Sequence, residues 1–201
     1  MHNSHLILHR VDEVNDVDIK AAQKEPLSAS QLQARYLQSV FEYVARRVPN
    51  REEAEDIASE VFAAAFLELP RFRYRCSPRV WLLGIARRRI VNSYRRNKSR
   101  PPALSQIRHL ADEVLLPVES MGVPHEEPST AAERNEAKQA IRDLLNGVKE
   151  EQREALLLQH AEGLAINEIA VVMKRSPKAV NSLLQRARKT MYERGKEYFL
   201  D

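Results

Sequence analysis

Cysteine is almost missing from this chain. Cys76 stands alone among 201 residues. That excludes an intrachain disulfide framework and a thiolate zinc site, and it suits a reducing compartment. Glycine is nearly as scarce, at five residues, while Ala, Leu, Glu and Arg abound, a composition that favours helix. No apolar run approaches the ~20 residues that a membrane span requires. The opening stretch, "MHNSHLILHRVDEVND", has only a stub of apolar residues before its acids and does not read as a secretory signal. No nucleophile or acid–base pair stands out. The expectation is a cytoplasmic protein with no enzymatic activity of its own, no cofactor and no small-molecule substrate.

What is present is charge, unevenly spread. Charged residues make up 30% and hydrophobic ones 43%, with a formal net charge of +4. The excess is a modest bias toward anionic partners, but the basic residues cluster and the acids lie elsewhere. Residues 1–27 show no sustained period and read as a tail. From Ser28 an apolar stripe of Leu37, Val40, Phe41, Val44 and Val48 predicts a helix ended by Pro49. Asn50 then reads as an N-cap with Glu53 completing a capping box. The helix it starts turns Ile57, Ala58, Val61, Phe62, Ala65 and Leu69 inward. A loop, "PRFRYRCSP", leads to a third helix, "WLLGIARRRIVNSYRRNKSR".

That third helix is apolar at its start and basic at its end. Leu83, Ile90, Val91 and Tyr94 make one stripe. Trp81, Ile85, Arg88, Asn92 and Arg95 make a second on roughly the opposite side, flanked by Arg89 and Arg96. No acid within the segment neutralises it. A solvated basic face is the ordinary explanation for a charge run. A Trp and an Ile sharing a face with guanidiniums point instead to a polyanion with flat, stackable groups, which describes nucleic acid.

Residues 101–134 differ, with five prolines among acids and serines. A brief helix is possible around Leu110–Leu116, but the whole reads as a linker that could extend roughly 110 Å at about 3.3 Å per residue. Helical periodicity returns from Asn135, with Ile141, Leu144, Leu145, Val148 and Leu156–Leu158. A helix over Ala165–Met173 places Ile166, Ile169, Ala170 and Met173 inward. After a short turn, Ser176 as N-cap and Pro177 at the first helical position start another. This one buries Val180, Leu183, Leu184, Ala187 and Met191. Its other side carries Lys178, Asn181, Ser182, Gln185, Arg186, Arg188 and Lys189. Two helices, a tight turn and an exposed row of base-reading and phosphate-binding side chains make a helix-turn-helix. Asn and Gln pair with adenine edges, Arg with guanine. The predicted fold class is all-α, two small helical domains joined by a flexible linker.

Together, "EEAEDIASEVFAAAF", "WLLGIARRRIVNSYRR" and "REALLLQHAEGLAINEIAVVMKRSPKAVNSLLQRARK" resemble an extracytoplasmic function (ECF) sigma factor of bacterial RNA polymerase, of the sigma-70 family. The resemblance implies region 2 over 28–100, a linker over 101–134, region 4 over 135–196 and a short tail over 197–201. It implies RNA polymerase core as partner, through clamp helices of the largest subunit and through the flap, with promoter DNA as the second partner. An anti-sigma factor is the expected third. It implies a cytoplasmic protein, at the nucleoid when in holoenzyme.

By that resemblance Asp56 and Glu60, with Glu52 and Glu53 a turn earlier, bind polymerase. Trp81, Arg88, Asn92, Arg95 and Arg96, with Phe72 and Tyr74 of the loop, recognise and melt the −10 element. Lys178, Asn181, Ser182, Gln185, Arg186 and Arg188 meet the −35 duplex. The chain departs from the family pattern at Ser59 (commonly Gln), Arg88 (Asn) and Asn92 (Asp), and the last two make the DNA-facing stripe more basic. Lys174 replaces the usual turn Gly, at about 1–2 kcal/mol if left-handed. Ala165 replaces a capping Ser or Thr, forgoing roughly 1 kcal/mol.

Three other readings compete. A stand-alone helix-turn-helix regulator leaves the acidic helix and the basic third helix unexplained. A magnesium nuclease using Glu52, Glu53, Asp56 and Glu60 lacks a convergent partner motif. His2, His5 and His9 are spaced to bind a metal weakly, but read as chance residues of a tail.

Overall fold

The computed structural model describes residues 27–96 and 143–199, the last three by backbone alone. The tail at 1–26 with its three histidines, the linker with its possible short helix, Ile141 and the extreme C-terminus lie outside the described residues. Within them the chain is helical, without a strand. The all-α expectation is borne out.

Helix α1 spans Ala29–Ala45. Ser28 starts it with a reciprocal capping box: its hydroxyl accepts from the Gln31 N–H at 3.2 Å, and the Gln31 side chain accepts from the Ser28 N–H at 2.8 Å. The buried row is Leu32, Tyr36, Val40, Tyr43 and Val44. The expected stripe is therefore rotated. Leu37 is 44% exposed and Phe41 only partly covered, because two tyrosines bring more area into the core than the residues beside them.

Helix α2, Arg51–Glu68, is capped by Asn50, whose side chain accepts from the Glu53 N–H at 2.8 Å. The expected box is only half made, since the Glu53 carboxylate instead accepts from the Ser93 hydroxyl at 2.9 Å. Ala54, Ile57, Ala58, Val61, Phe62, Ala64 and Ala65 are buried. A 3-10 turn at Leu69–Arg71 ends the rod, where Pro70 supplies no N–H.

Helix α3, Pro78–Arg96, is the centre of the molecule. It packs against α1 and α2 on one flank. The Tyr94 hydroxyl donates to the Arg47 carbonyl just past α1. Leu83, Ile90 and Tyr94 are buried as the first stripe requires, but Ile85 of the second stripe is buried too, at 2% exposure. The expectation that Ile85 shares an open face with the arginines is corrected. The core closes around α3 from more than one side, so apolar residues of both stripes are covered, Trp81 and Val91 only in part, while Arg88, Asn92 and Arg95 stay out.

The second covering element comes from the C-terminal half. Helices α4 (Glu150–His160), α5 (Ile166–Met173) and α6 (Pro177–Phe199) enclose Ala155–Leu158, Leu164, Ile169, Ala170, Val172, Met173, Val180, Leu184, Ala187 and Met191. Gly163 turns the chain from α4 toward α5 at φ +66°, a conformation that strains any L side chain. Helix α5 then lies along α3. At Gly84 a methyl group would sit 3.9 Å from the Val172 Cα, so the two helix backbones approach closely.

The two halves are thus docked, and charge as well as packing joins them. Glu162, with 2% side-chain exposure, meets Arg46 at 3.1 Å, Arg47 at 3.5 Å and Arg79 at 3.1 Å. Arg79 also donates to the Glu162 carbonyl. Glu154 accepts from the Arg47 Nε at 3.0 Å and from the Tyr43 hydroxyl at 2.8 Å. The Arg47 guanidinium lies 3.7 Å from the centre of the Tyr43 ring.

The half-buried His160 is expected to tie stability to pH. Burial, and secondarily the charge of Arg188, pushes the His160 imidazole down to about 4. Its Nε2 is enclosed without a hydrogen-bond partner. Between pH 4 and about 6.5 the unfolded chain therefore binds a proton that the folded chain refuses, so stability falls as pH drops through that window. Chemical denaturation at pH 7.5 and pH 5 should reveal this loss, and His160→Gln should reduce it. An identical pH slope in the variant would remove His160 as the cause.

Candidate nucleic-acid and polymerase interfaces

The exposed side of α6 is the plainest of the candidate surfaces. Ser176 accepts from the Ala179 N–H at 3.2 Å, and Pro177 opens the helix. This cap fixes the rotation that buries Val180, Leu184, Ala187 and Met191. Lys178, Asn181, Gln185, Arg186, Arg188 and Lys189 are consequently exposed, along one side of about three turns. Ser182 is half-buried, and its hydroxyl donates back to the Lys178 carbonyl at 3.0 Å. Arg188 reaches across to the Gln159 side chain at 2.9 Å. Asn181, Gln185 and Arg186 are the members of the row best placed to reach a groove.

The turn before α6 carries strain. Lys174 is left-handed, at φ 52° and ψ 49°. Ala165, which has no side-chain acceptor, still donates its N–H to the Glu168 carboxylate at 3.0 Å, keeping half of a capping box. Lys174→Gly should relieve roughly 1 kcal/mol, offset in part by glycine's larger loss of freedom on folding. Thermal unfolding should show a midpoint raised by a few degrees, and an unchanged or lower midpoint would mean that Lys174 makes compensating contacts.

On the N-terminal half, aromatic and basic groups lie together. Phe72 stacks on Trp81 with centroids 4.3 Å apart and planes 15° from parallel, and Tyr74 lies tilted against Phe72 at 4.6 Å. Tyr74 is itself left-handed, at φ 51°, and its hydroxyl accepts from the Leu27 N–H at 3.2 Å. The three rings form a pre-assembled stack whose members are half-buried. Beyond it Arg88, Asn92 and Arg95 stand exposed, in line along α3.

Although the α3 segment contains no acid, the fold brings one. Glu60 of α2 lies 3.4 Å from Arg89 and 3.5 Å from Arg96. These exposed contacts contribute little to stability, but they divide the arginines: Arg88 and Arg95 remain without a carboxylate among the described residues. The same contacts divide the acidic helix. Glu60 faces Arg89 and Arg96, and Glu53 is engaged by Ser93, whereas Glu52 and Asp56 are exposed and form no ion pair among the described residues.

Those acids do not converge, and among the described residues no three of His, Cys, Asp and Glu are grouped as a metal site. Burial pushes the Cys76 thiol up to about 11, which keeps it protonated at neutral pH. Among the described residues no helix is long and apolar enough to cross a membrane.

A helix-turn-helix half joined to a second helical half with a basic, aromatic face defines a DNA-binding protein of the transcription machinery. The family models for sigma-70 region 2 and sigma-70 region 4 match residues 32–100 and 138–191. The chain is 31% identical over 153 residues to the ECF RNA polymerase sigma factor SigC of Mycobacterium tuberculosis, covering 75% of this chain and 74% of that protein. It is 28% identical over 161 residues to the RNA polymerase sigma factor YlaC of Bacillus subtilis, covering 80% and 88%. In fold it is similar to the sigma factor RpoE solved with the anti-sigma factor NepR from Bartonella quintana, at TM-score 0.55 and 19% identity, over 83% of this chain and 96% of that one. The chain belongs to the ECF sigma factors: it directs RNA polymerase core to promoters and is not an enzyme.

The interdomain residues Arg46, Arg47, Arg79, Glu154 and Glu162 escape a reading of the sequence. Their partners lie 83 to 116 positions apart, and no local pattern links them.

Proposed function

We propose that the three surfaces divide the work of initiation, with region 2 over 28–100 and region 4 over 135–196. Asp56, supported by Glu52, meets basic polymerase surface. Glu53 and Glu60 face α3 while adding to the negative field. Arg88, Asn92, Arg95 and Arg96 line the path of the −10 strand, and the stack of Phe72, Tyr74 and Trp81 receives an unpaired base at its open edge. Asn181, Gln185 and Arg186 read the −35 element. Lys178, Ser182 and Arg188 position the helix on phosphate, which fixes register without reading sequence.

The observation that carries this division is the sorting of charge by Glu60. It leaves Asp56 open on one side of region 2 and Arg88 and Arg95 open on another. The protein works where RNA polymerase is, in the cytoplasm. Since the sigma factor RpoE was solved with an anti-sigma factor, a protein of that kind is the expected regulator here as well.

Asp56→Lys tests the division. It should weaken binding to core polymerase by on the order of tenfold at low salt, with the difference shrinking as salt screens it. Far-UV circular dichroism should be unchanged, and binding of the free full-length variant to a −35 duplex fragment should match wild type. Wild-type affinity for core at both low and moderate salt would remove Asp56 from the interface.

A further inference from the structure

A cleft of about 140 Å³ lies where α3 of region 2 meets α5 of region 4. Arg87, Arg88, Asn92 and Arg95 line it from α3, and Val172 and Lys174 line it from α5 and the turn that follows. Four of those side chains are cations, and none of the lining residues is an acid. The nearby carboxylate of Glu60 is already taken up by Arg89 and Arg96. The Arg87 Nε is enclosed and has no hydrogen-bond partner. Like charges thus face one another across the junction of two domains, and a buried donor on the same wall is unmatched. Each of these costs free energy that an anion in the cleft would recover.

We propose that this cleft binds the diphosphate group of a small anion, free or carried by a nucleoside, and that the bound anion clamps region 4 against region 2. The charge selects the ligand: four cations and no acid call for a compact, multiply charged anion, which a diphosphate is. The Arg88 and Arg95 backbones lie about 10 Å apart along the helix at about 1.5 Å per residue, a span that two long side chains can bridge to one compact anion. Guanidiniums suit the ligand because their paired donors match phosphate oxygens. Lys174 contributes a compact charge from the other domain, at the left-handed position where its backbone strain is retained. A ligand that touches both walls binds only when the domains are docked, so it shifts the population toward the docked form.

The site uses Arg87 and Lys174, which stand outside the DNA-contacting set, so the proposal can be tested apart from promoter recognition. Isothermal titration of the full chain with pyrophosphate, at constant ionic strength, should give saturable binding at one site per chain. Arg87→Gln and Lys174→Gln should each weaken it at least fivefold. Gln at 174 keeps the left-handed strain, and circular dichroism checks that both variants are folded. ADP distinguishes the source: tighter binding than pyrophosphate means the diphosphate arrives on a nucleoside, and equal or weaker binding means it arrives free. Small-angle scattering should show a smaller radius of gyration with pyrophosphate than without, and no such change for Lys174→Gln. Absence of saturable heat would overturn the proposal. So would equal heat from sulfate, or pyrophosphate binding that survives both substitutions.

Discussion

Glu162→Gln should separate region 4 from region 2. The carboxylate it removes has 2% side-chain exposure and sits among Arg46, Arg47 and Arg79, with contacts of 3.1–3.5 Å. An amide of the same shape can accept only one-sidedly and carries no charge, leaving three guanidiniums crowded at a closed interface. Breaking a buried pair by removing one partner costs about 3–5 kcal/mol, because the surviving charge stays desolvated. Arg47 shows how much the buried cations lean on such neighbours, since burial alone would lower its pKa and Glu154, Tyr43 and Glu162 hold it above its ordinary value. Glu154 remains to pair with Arg47 and Glu42 with Arg46, so the lost ion pair falls most directly on Arg79.

Each half keeps most of its own apolar core, so the loss falls on the contact between the halves. The expected result is a larger radius of gyration by small-angle scattering, with helix content intact. High salt should change the wild type little, since buried pairs are weakly screened, and should partly restore docking in the variant by screening repulsion among the guanidiniums. An unchanged radius together with a lowered melting temperature would place the contribution of Glu162 inside region 4 instead.

How much of this was legible in the residues follows from range. Caps and helix starts are local, and Ser28, Asn50, Ser176 and Pro177 stand where the sequence puts them. The left-handed Lys174 is legible only through the family resemblance, which puts a turn Gly at that position. The α6 row follows from helical periodicity alone, since one side of that helix is covered and the other is not. Periodicity fails at α3, because a helix packed on more than one flank no longer has a single apolar side. Ile85 is buried beside arginines for that reason. It fails at α1 as well, where Tyr36 and Tyr43 displace Leu37 and Phe41 from the inward row. Charge sorting is wholly tertiary: nothing in the order of residues says that Glu60 will take Arg89 and Arg96 and leave Arg88 and Arg95 open.

That sorting sets the other large expected effect. Arg88→Ala with Arg95→Ala should impair opening of promoter DNA far more than binding to it. Both side chains are exposed and lack a carboxylate among the described residues, and they continue the line of the Phe72–Trp81 stack. Closed complexes depend on the exposed row of α6 and on core polymerase held through the acidic helix, surfaces of which Arg88 and Arg95 are not part. Opening requires a base to leave the duplex, at a few kcal/mol, against which stacking on an aromatic returns about 1–3 kcal/mol per base. With those two terms nearly equal, the phosphate contacts of Arg88 and Arg95 decide the outcome. Loss of both should reduce heparin-resistant open complexes by on the order of tenfold or more, while a template with a pre-melted −10 bubble recovers part of the loss. Binding to such a template should also lose salt dependence, by somewhat under one unit of log–log slope for each contact removed. Permanganate reactivity of −10 thymines reads the effect directly. Equal reactivity of wild type and variant on duplex DNA would make this face of α3 merely solvated, and the route of the melted strand would have to lie elsewhere on region 2.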